Sequence, residues 1–226
     1  MMNTKTIARI VGACFLISNF TFILGAFALV EPALSAPNYL TLVSENKPQV
    51  ILGVLLELMN AVAYIGIAVL MYQVLRKRFA SGAIWYVAFR TIEFVMQTIA
   101  DLSPLAMLTL SAAYIKGGGA EVSSFQTAGT LLLAQRFWAF QMVSVTLVLG
   151  ALTLYAMLYK SQLIPRFISI WGLVGAAIVL INALADWFGV ILPNLGVLML
   201  ANELFLGVWL IVKGFNTTAI AAEPAH

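Results

Sequence analysis

Seven ionisable side chains lie within stretches of sequence that are otherwise apolar. They are Glu57, Glu93, Asp101, Asp186, Glu203, Arg90 and Arg136. A charge inside a membrane costs about 2.5–3.5 kcal/mol on insertion scales, so such residues usually face the interior of a helix bundle and find partners there. Five acids stand against two arginines in this set. At least one carboxyl group must therefore be protonated, reach water at the outer side, or hold a cation.

The third apolar segment carries several of these groups on one helical face. Arg90, Glu93, Gln97 and Asp101 are spaced by three, four and four residues, and this spacing repeats on one side of an α-helix. Arg90 and Glu93 are close enough along the chain to pair within the helix. Pro104 continues the same face, where it frees a backbone carbonyl and favours a kink.

Depth in the membrane selects the candidate site. With a rise of 1.5 Å per residue, Glu57, Asp101, Arg136 and Glu203 each lie about 8–12 Å below the outer surface. We expect the three acids to bind a proton, a cation or a small polar ligand, with Arg136 as their counter-ion. The supporting polar residues are expected to be Asn60, Arg90, Glu93, Gln97, Gln141, Asn182 and Asn202. Asp186 lies nearer the surface, where solvation is the simpler interpretation.

The composition identifies the elements that must position these residues. Hydrophobic residues make up 62% of the 226-residue chain and charged residues only 9%, whereas soluble domains are about 25% charged. Alternating strand patterns are absent, and helices satisfy their own backbone hydrogen bonds in lipid. We therefore predict one domain, residues 1–213, with a short disordered tail, residues 214–226. Its fold is an all-α bundle of six transmembrane helices, at 7–30, 50–75, 82–109, 131–159, 167–190 and 195–212.

Basic residues predict the orientation of these helices. Eight Lys and Arg residues fall on the side of the N-terminus and two on the other side, so the positive-inside rule places both termini in the cytoplasm. The uncharged run of residues 10–30 is longer than the core of a signal peptide, which favours a retained first span over a cleaved one. The two longer outer connections, residues 31–49 and 111–130, are expected to be loops, the second a flexible linker around Gly117-Gly118-Gly119.

Several kinds of chemistry lack the residues they need. The only histidine is the last residue, His226, and the only cysteine is Cys14, in the first span. Histidine-ligated haem, zinc proteases with a His-Glu-x-x-His motif and Ser-His hydrolysis are therefore excluded. We predict no catalytic residue, no metal and no cofactor, and the chain shows no basic stripe with interleaved aromatics that would indicate nucleic acid.

Three short motifs carry a family resemblance. They are Arg9-Ile-Val-Gly-Ala, Phe89-Arg90-x-x-Glu93, and the closing run from Asn202-Glu203 to Lys213-Gly214-Phe215. Together they resemble a bacterial membrane family that is catalogued as domain of unknown function 4386. The resemblance covers nearly the whole chain and implies a multi-span protein of the bacterial cytoplasmic (inner) membrane. It gives weight to Arg90, Glu93, Glu203 and Lys213, and it implies no substrate, reaction or cofactor.

Three functions stay open at this point. The leading hypothesis is a small binding, sensing or transport unit that uses the acidic layer. The first alternative is a structural or accessory subunit whose charges only fix helix packing. The second is a membrane enzyme acting on a lipid or isoprenoid, which would need a lateral opening to the acids. Membrane lipids are the expected partners in each case, and an oligomer is compatible with all three.

Overall fold

A computed structural model describes residues 3–117, 122–193 and 195–216. These residues form seven helices and no strand, so the predicted all-α fold is confirmed for the described part of the chain. The helices are α1 (Thr4–Leu34), α2 (Tyr39–Glu45), α3 (Lys47–Leu75), α4 (Ala80–Lys116), α5 (Val122–Ser161), α6 (Arg166–Trp187) and α7 (Val197–Val212).

Five of these helices are long and apolar enough to cross a membrane. They are α1, α3, α4, α5 and α6, and the chain is accordingly a multi-pass membrane protein. Helix α7 is apolar but has only 16 residues, or about 24 Å, against a hydrocarbon core of about 30 Å. That the chain crosses the membrane six times, and that both termini lie in the cytoplasm, stay predictions.

The predicted outer loops are largely helical, which corrects the sequence-based boundaries. Helix α4 continues to Lys116 and α5 begins at Val122, inside the predicted 111–130 linker, and Gly118-Gly119 lie outside the described residues. The hydroxyls of Thr127 and Thr130 donate to carbonyls four residues earlier in α5. Both hydroxyls are therefore hydrogen-bonded within the helix. The predicted 31–49 loop likewise holds the end of α1, all of α2 and the start of α3.

Helix α1 contains a wide, π-helical stretch at Ile23–Val30. The N–H of Glu31, directly after it, donates to the carbonyl of Ala26, five residues earlier. Such stretches occur as local insertions in α-helices and are frequent at functional sites. Helix α1 consequently continues past residue 30 and carries Glu31 within it rather than in a loop.

Residue contacts divide the described chain into two compact units. One comprises the described residues of 1–19, 62–93 and 144–226, and the other comprises residues 20–61 and the described residues of 94–143. We call them the first and second units. Helices α1, α3, α4 and α5 each contribute residues to both.

Glycine allows close helix contacts inside each unit. In the first unit, a Cβ on Gly12 would lie 2.5 Å from the carbonyl oxygen of Gly207. In the second, a Cβ on Gly25 would lie 2.7 Å from the carbonyl oxygen of Gly53. Backbones this close leave no space for a side chain, as is typical of small residues at membrane helix crossings.

Candidate functional site

The guanidinium of Arg136 on α5 contacts acceptors from three other helices of the second unit. Its Nε donates to Glu31 Oε1 on α1 and its Nη2 donates to Glu57 Oε1 on α3, both at 2.9 Å. Its Nη1 donates to the Ala100 carbonyl on α4 at 3.4 Å and lies 4.0 Å from Asp101 Oδ1. Arg136 is only 3% exposed. We call Glu31, Glu57, Gln97, Asp101 and Arg136 the Arg136 cluster.

Gln97 connects two carboxylates of the Arg136 cluster. Its side-chain Nε2 donates to Asp101 Oδ1 at 2.8 Å and to Glu57 Oε2 at 3.1 Å. The first of these bonds spans four residues of α4, as the spacing of the polar face predicts. Two acids from different helices thus share one donor and one local site.

One oxygen in the Arg136 cluster has no hydrogen-bond partner. Asp101 Oδ2 is fully buried and unpaired among the described residues, and Asp101 as a whole is 5% exposed. A buried carboxylate oxygen without a donor carries a desolvation cost. The cluster also opposes one guanidinium to three carboxylates. Both observations indicate that the Arg136 cluster would be more stable with one more positive charge or with one bound proton.

A second polar cluster lies in the first unit. Arg90 Nη1 donates to both carboxylate oxygens of Glu93, at 3.0 and 2.9 Å, and both residues are buried. The rings of Tyr64 and Tyr86 lie 5.7 and 5.5 Å from the Arg90 guanidinium carbon. The ion pair therefore forms within α4, with aromatic rings near the cation, while Arg90 Nε is buried and has no hydrogen-bond partner among the described residues.

Glu203 lies in the first unit. Its Oε2 accepts a hydrogen bond from Asn19 Nδ2 on α1 at 3.2 Å. Among the described residues, the carboxylates within 4.0 Å of Arg136 are those of Glu31, Glu57 and Asp101. Arg136 and Glu203 belong to different units. That Arg136 is the counter-ion of Glu203 therefore stays a prediction.

The other polar residues singled out in the sequence lie outside the Arg136 cluster as defined above. Asn202 is fully buried on α7 and donates to the Ile168 carbonyl on α6 at 3.0 Å. Asn182 donates to the Pro193 carbonyl at 3.4 Å. Asn60 and Gln141 are buried, and Asp186 is exposed near the end of α6. Asn202 thus fixes α7 against α6, and Asp186 has the exposure expected of a surface residue.

Comparison with known proteins places most of the chain in one family. The sequence profile described as Domain of unknown function (DUF4386) matches residues 10–214. The chain belongs to the DUF4386 family. No curated protein and no solved structure matches the chain. The matched range of this DUF4386 protein includes all the residues of both polar clusters.

Sequence reasoning missed two residues of this DUF4386 protein. Glu31 ends the charge-free run of residues 10–30, and ending the first helix at residue 30 assigned it to a loop. Its position one residue beyond an apolar span, at the depth expected of Arg136, was the available signal. Asn19 is a lone amide within the same run and the partner of Glu203. A buried amide in a span commonly pairs across helices, and this was a usable signal as well.

Proposed function

We propose that this DUF4386 protein binds a proton at the Glu57–Asp101 carboxyl pair and uses it in sensing or transport. The observation that carries the proposal is the buried, unpaired Oδ2 of Asp101 in a cluster of three carboxylates and one guanidinium. Two carboxylates in one poorly solvated site do not both ionise without cost. One bound proton removes one negative charge from the pair.

The ligand set favours a proton over a metal ion. Among the described residues, no group of three or more His, Cys, Asp or Glu side chains is placed to hold a metal. Two of the three acids are already engaged at 2.9 Å with Arg136, which occupies the space that a cation would need. A proton needs only one carboxyl oxygen and its neighbour.

Exposure supports a route between the Arg136 cluster and water. The side chains of Glu57 and Asp101 are 0% and 7% exposed, whereas that of Glu31 is 38% exposed. Glu31 also bonds the same guanidinium as Glu57. Proton exchange through Glu31 would make the cluster respond to pH on one side of the membrane. The proposed location is the bacterial cytoplasmic membrane, with both termini in the cytoplasm.

Infrared spectroscopy of the Asp101→Asn variant tests the proposal. At neutral pH the wild-type protein is expected to show a carbonyl stretch from a protonated carboxyl group that the variant lacks. Asparagine has the shape of a protonated aspartate, so thermal stability should change little. Asp186→Asn, which alters an exposed acid, should leave the band unchanged and is the matched control.

A structural role is the second candidate, and the contacts of Arg136 favour it. The guanidinium joins α5 to α1, α3 and α4 within one unit. If the charges only fix packing, Asp101 is ionised and Asp101→Asn removes no protonated-carboxyl band. That outcome, together with a large loss of thermal stability, would contradict proton binding and support the structural role.

A further inference from the structure

A cavity of about 420 Å³ lies where α5 ends, α6 begins and α7 ends. Its walls are the short connection between α5 and α6 and the segment that follows α7. The N–H of Asn216 donates to the Leu163 carbonyl at 2.8 Å and its side-chain amide donates to the Gln162 carbonyl at 3.4 Å. Phe215, which directly precedes Asn216, is buried. These bonds hold the two walls together within the first unit.

The backbone at the cavity has an uncommon shape. Gln162 has a φ of 57°, in the left-handed region, and so does Gly214, with a φ of 72°. A left-handed residue directly after a helix is usually glycine, because other residues pay a steric cost there. Gln162 directly follows α5 in this conformation without being glycine, and it lines the cavity.

The lining side chains give the cavity a positive charge. Among the described residues that line it, Arg166 and Lys213 are charged, Gln162 and Asn216 add amides, and none is acidic. The Arg166 guanidinium lies over the ring of Tyr159, 5.2 Å from its centre. The N-terminus of α6 begins at Arg166 and has no side-chain cap, so its partial positive charge adds to the two cations.

The surroundings place this cavity at the level of lipid headgroups. It lies at helix ends, and Trp209 lines it, as aromatic residues do at membrane interfaces. Arg78, from the α3–α4 connection, donates to the Ser161 carbonyl at 3.5 Å, which brings a further cation beside the α5 end. Basic pockets between membrane helices on the cytoplasmic side are suited to anionic headgroups.

We propose that this cavity binds a phosphate group, as a phosphodiester of an anionic phospholipid or as free phosphate. Arginine forms paired hydrogen bonds to phosphate oxygens, and lysine supplies a point charge. The two amides provide further donors to the same oxygens. The site does not depend on the Arg136 cluster, so its test is independent of proton binding.

Native mass spectrometry of the purified full chain tests this site. Wild-type protein is expected to retain phosphatidylglycerol over phosphatidylcholine, and Arg166→Gln with Lys213→Gln should weaken that retention about tenfold or more. The matched control is Arg76→Gln with Lys77→Gln, which removes two exposed cations that do not line the cavity. This control should retain the lipid as the wild type does. The swap Arg166→Lys with Lys213→Arg keeps both charges and should preserve most of the binding.

Added inorganic phosphate distinguishes the two sources of the group. If phosphate protects wild-type protein against thermal unfolding and displaces the lipid, the cavity serves free phosphate. If only phosphatidylglycerol binds, it serves a lipid headgroup. Equal lipid and phosphate binding by wild type and the Arg166/Lys213 double variant would overturn the proposal. An equal loss in the Arg76/Lys77 control would overturn it as well, because the effect would then be one of surface charge alone.

Discussion

Arg136→Leu is expected to destabilise the protein by about 3–5 kcal/mol, the usual cost of removing one partner from a buried ion pair. The change removes the donor to Glu31, Glu57 and the Ala100 carbonyl at once. Glu57 is completely buried, so its carboxylate would keep only the amide of Gln97. The cost comes from carboxylates left without a cation, more than from the loss of the arginine itself.

Unfolding in a denaturing detergent, followed by helix content, measures this effect. Arg136→Lys keeps the charge but lacks the planar fork that contacts several acceptors, so an intermediate loss is expected. The control is Arg9→Leu, which replaces an exposed arginine and should change stability by less than about 0.5 kcal/mol. Similar losses for Arg136→Leu and Arg9→Leu would mean that the contacts of Arg136 do not hold the helices together.

Gly53→Ala is expected to destabilise the α1–α3 contact by about 1–3 kcal/mol, the range for overpacking a tight interface. A Cβ on Gly53 would lie 2.5 Å from Val30 Cγ2 and 2.9 Å from the Gly25 carbonyl oxygen. The valine methyl group can move, but the backbone oxygen moves only with helix α1. The two helices must therefore separate slightly to admit one methyl group.

Gly66→Ala, on the same helix α3, is the matched control for Gly53→Ala. Its Cβ would meet only Cys14 Sγ, at an ordinary contact distance of 3.9 Å. Alanine is the better helix former by up to about 1 kcal/mol, so this variant should be as stable as the wild type or more stable. Loss of stability in Gly66→Ala equal to that in Gly53→Ala would show that the effect is not a matter of helix contact.

Interactions within one helix could be predicted from the sequence. The pairs Arg90–Glu93 and Gln97–Asp101 follow from spacings of three and four residues, and the structure contains both. The all-helical, membrane-spanning character follows from the apolar composition. These features depend only on the spacing of residues along one helix and on the transfer of apolar side chains from water to lipid, and both can be read from the sequence.

Interactions between helices could not be predicted in the same way. Depth along a helix does not give the partner of Glu203, and the structure shows that its carboxylate accepts a hydrogen bond from Asn19 on α1. The rotation of each helix about its axis depends on how glycine contacts such as Gly25–Gly53 let the backbones approach. Helix α1 extends through a π-helical stretch that apolar patterning does not reveal. The predicted helix therefore ended at residue 30, and Glu31 was assigned to a loop.

The order of the Arg136 contacts along the chain has a consequence for biosynthesis. Glu31, Glu57, Ala100 and Asp101 all precede Arg136 in the sequence, and a nascent chain emerges from its N-terminus. Helices α1, α3 and α4 therefore leave the ribosome before the guanidinium that their acids require. Until α5 follows, these acids must stay hydrated or neutral, and a chain truncated before residue 136 would insert into the bilayer with its negative charges unopposed by Arg136.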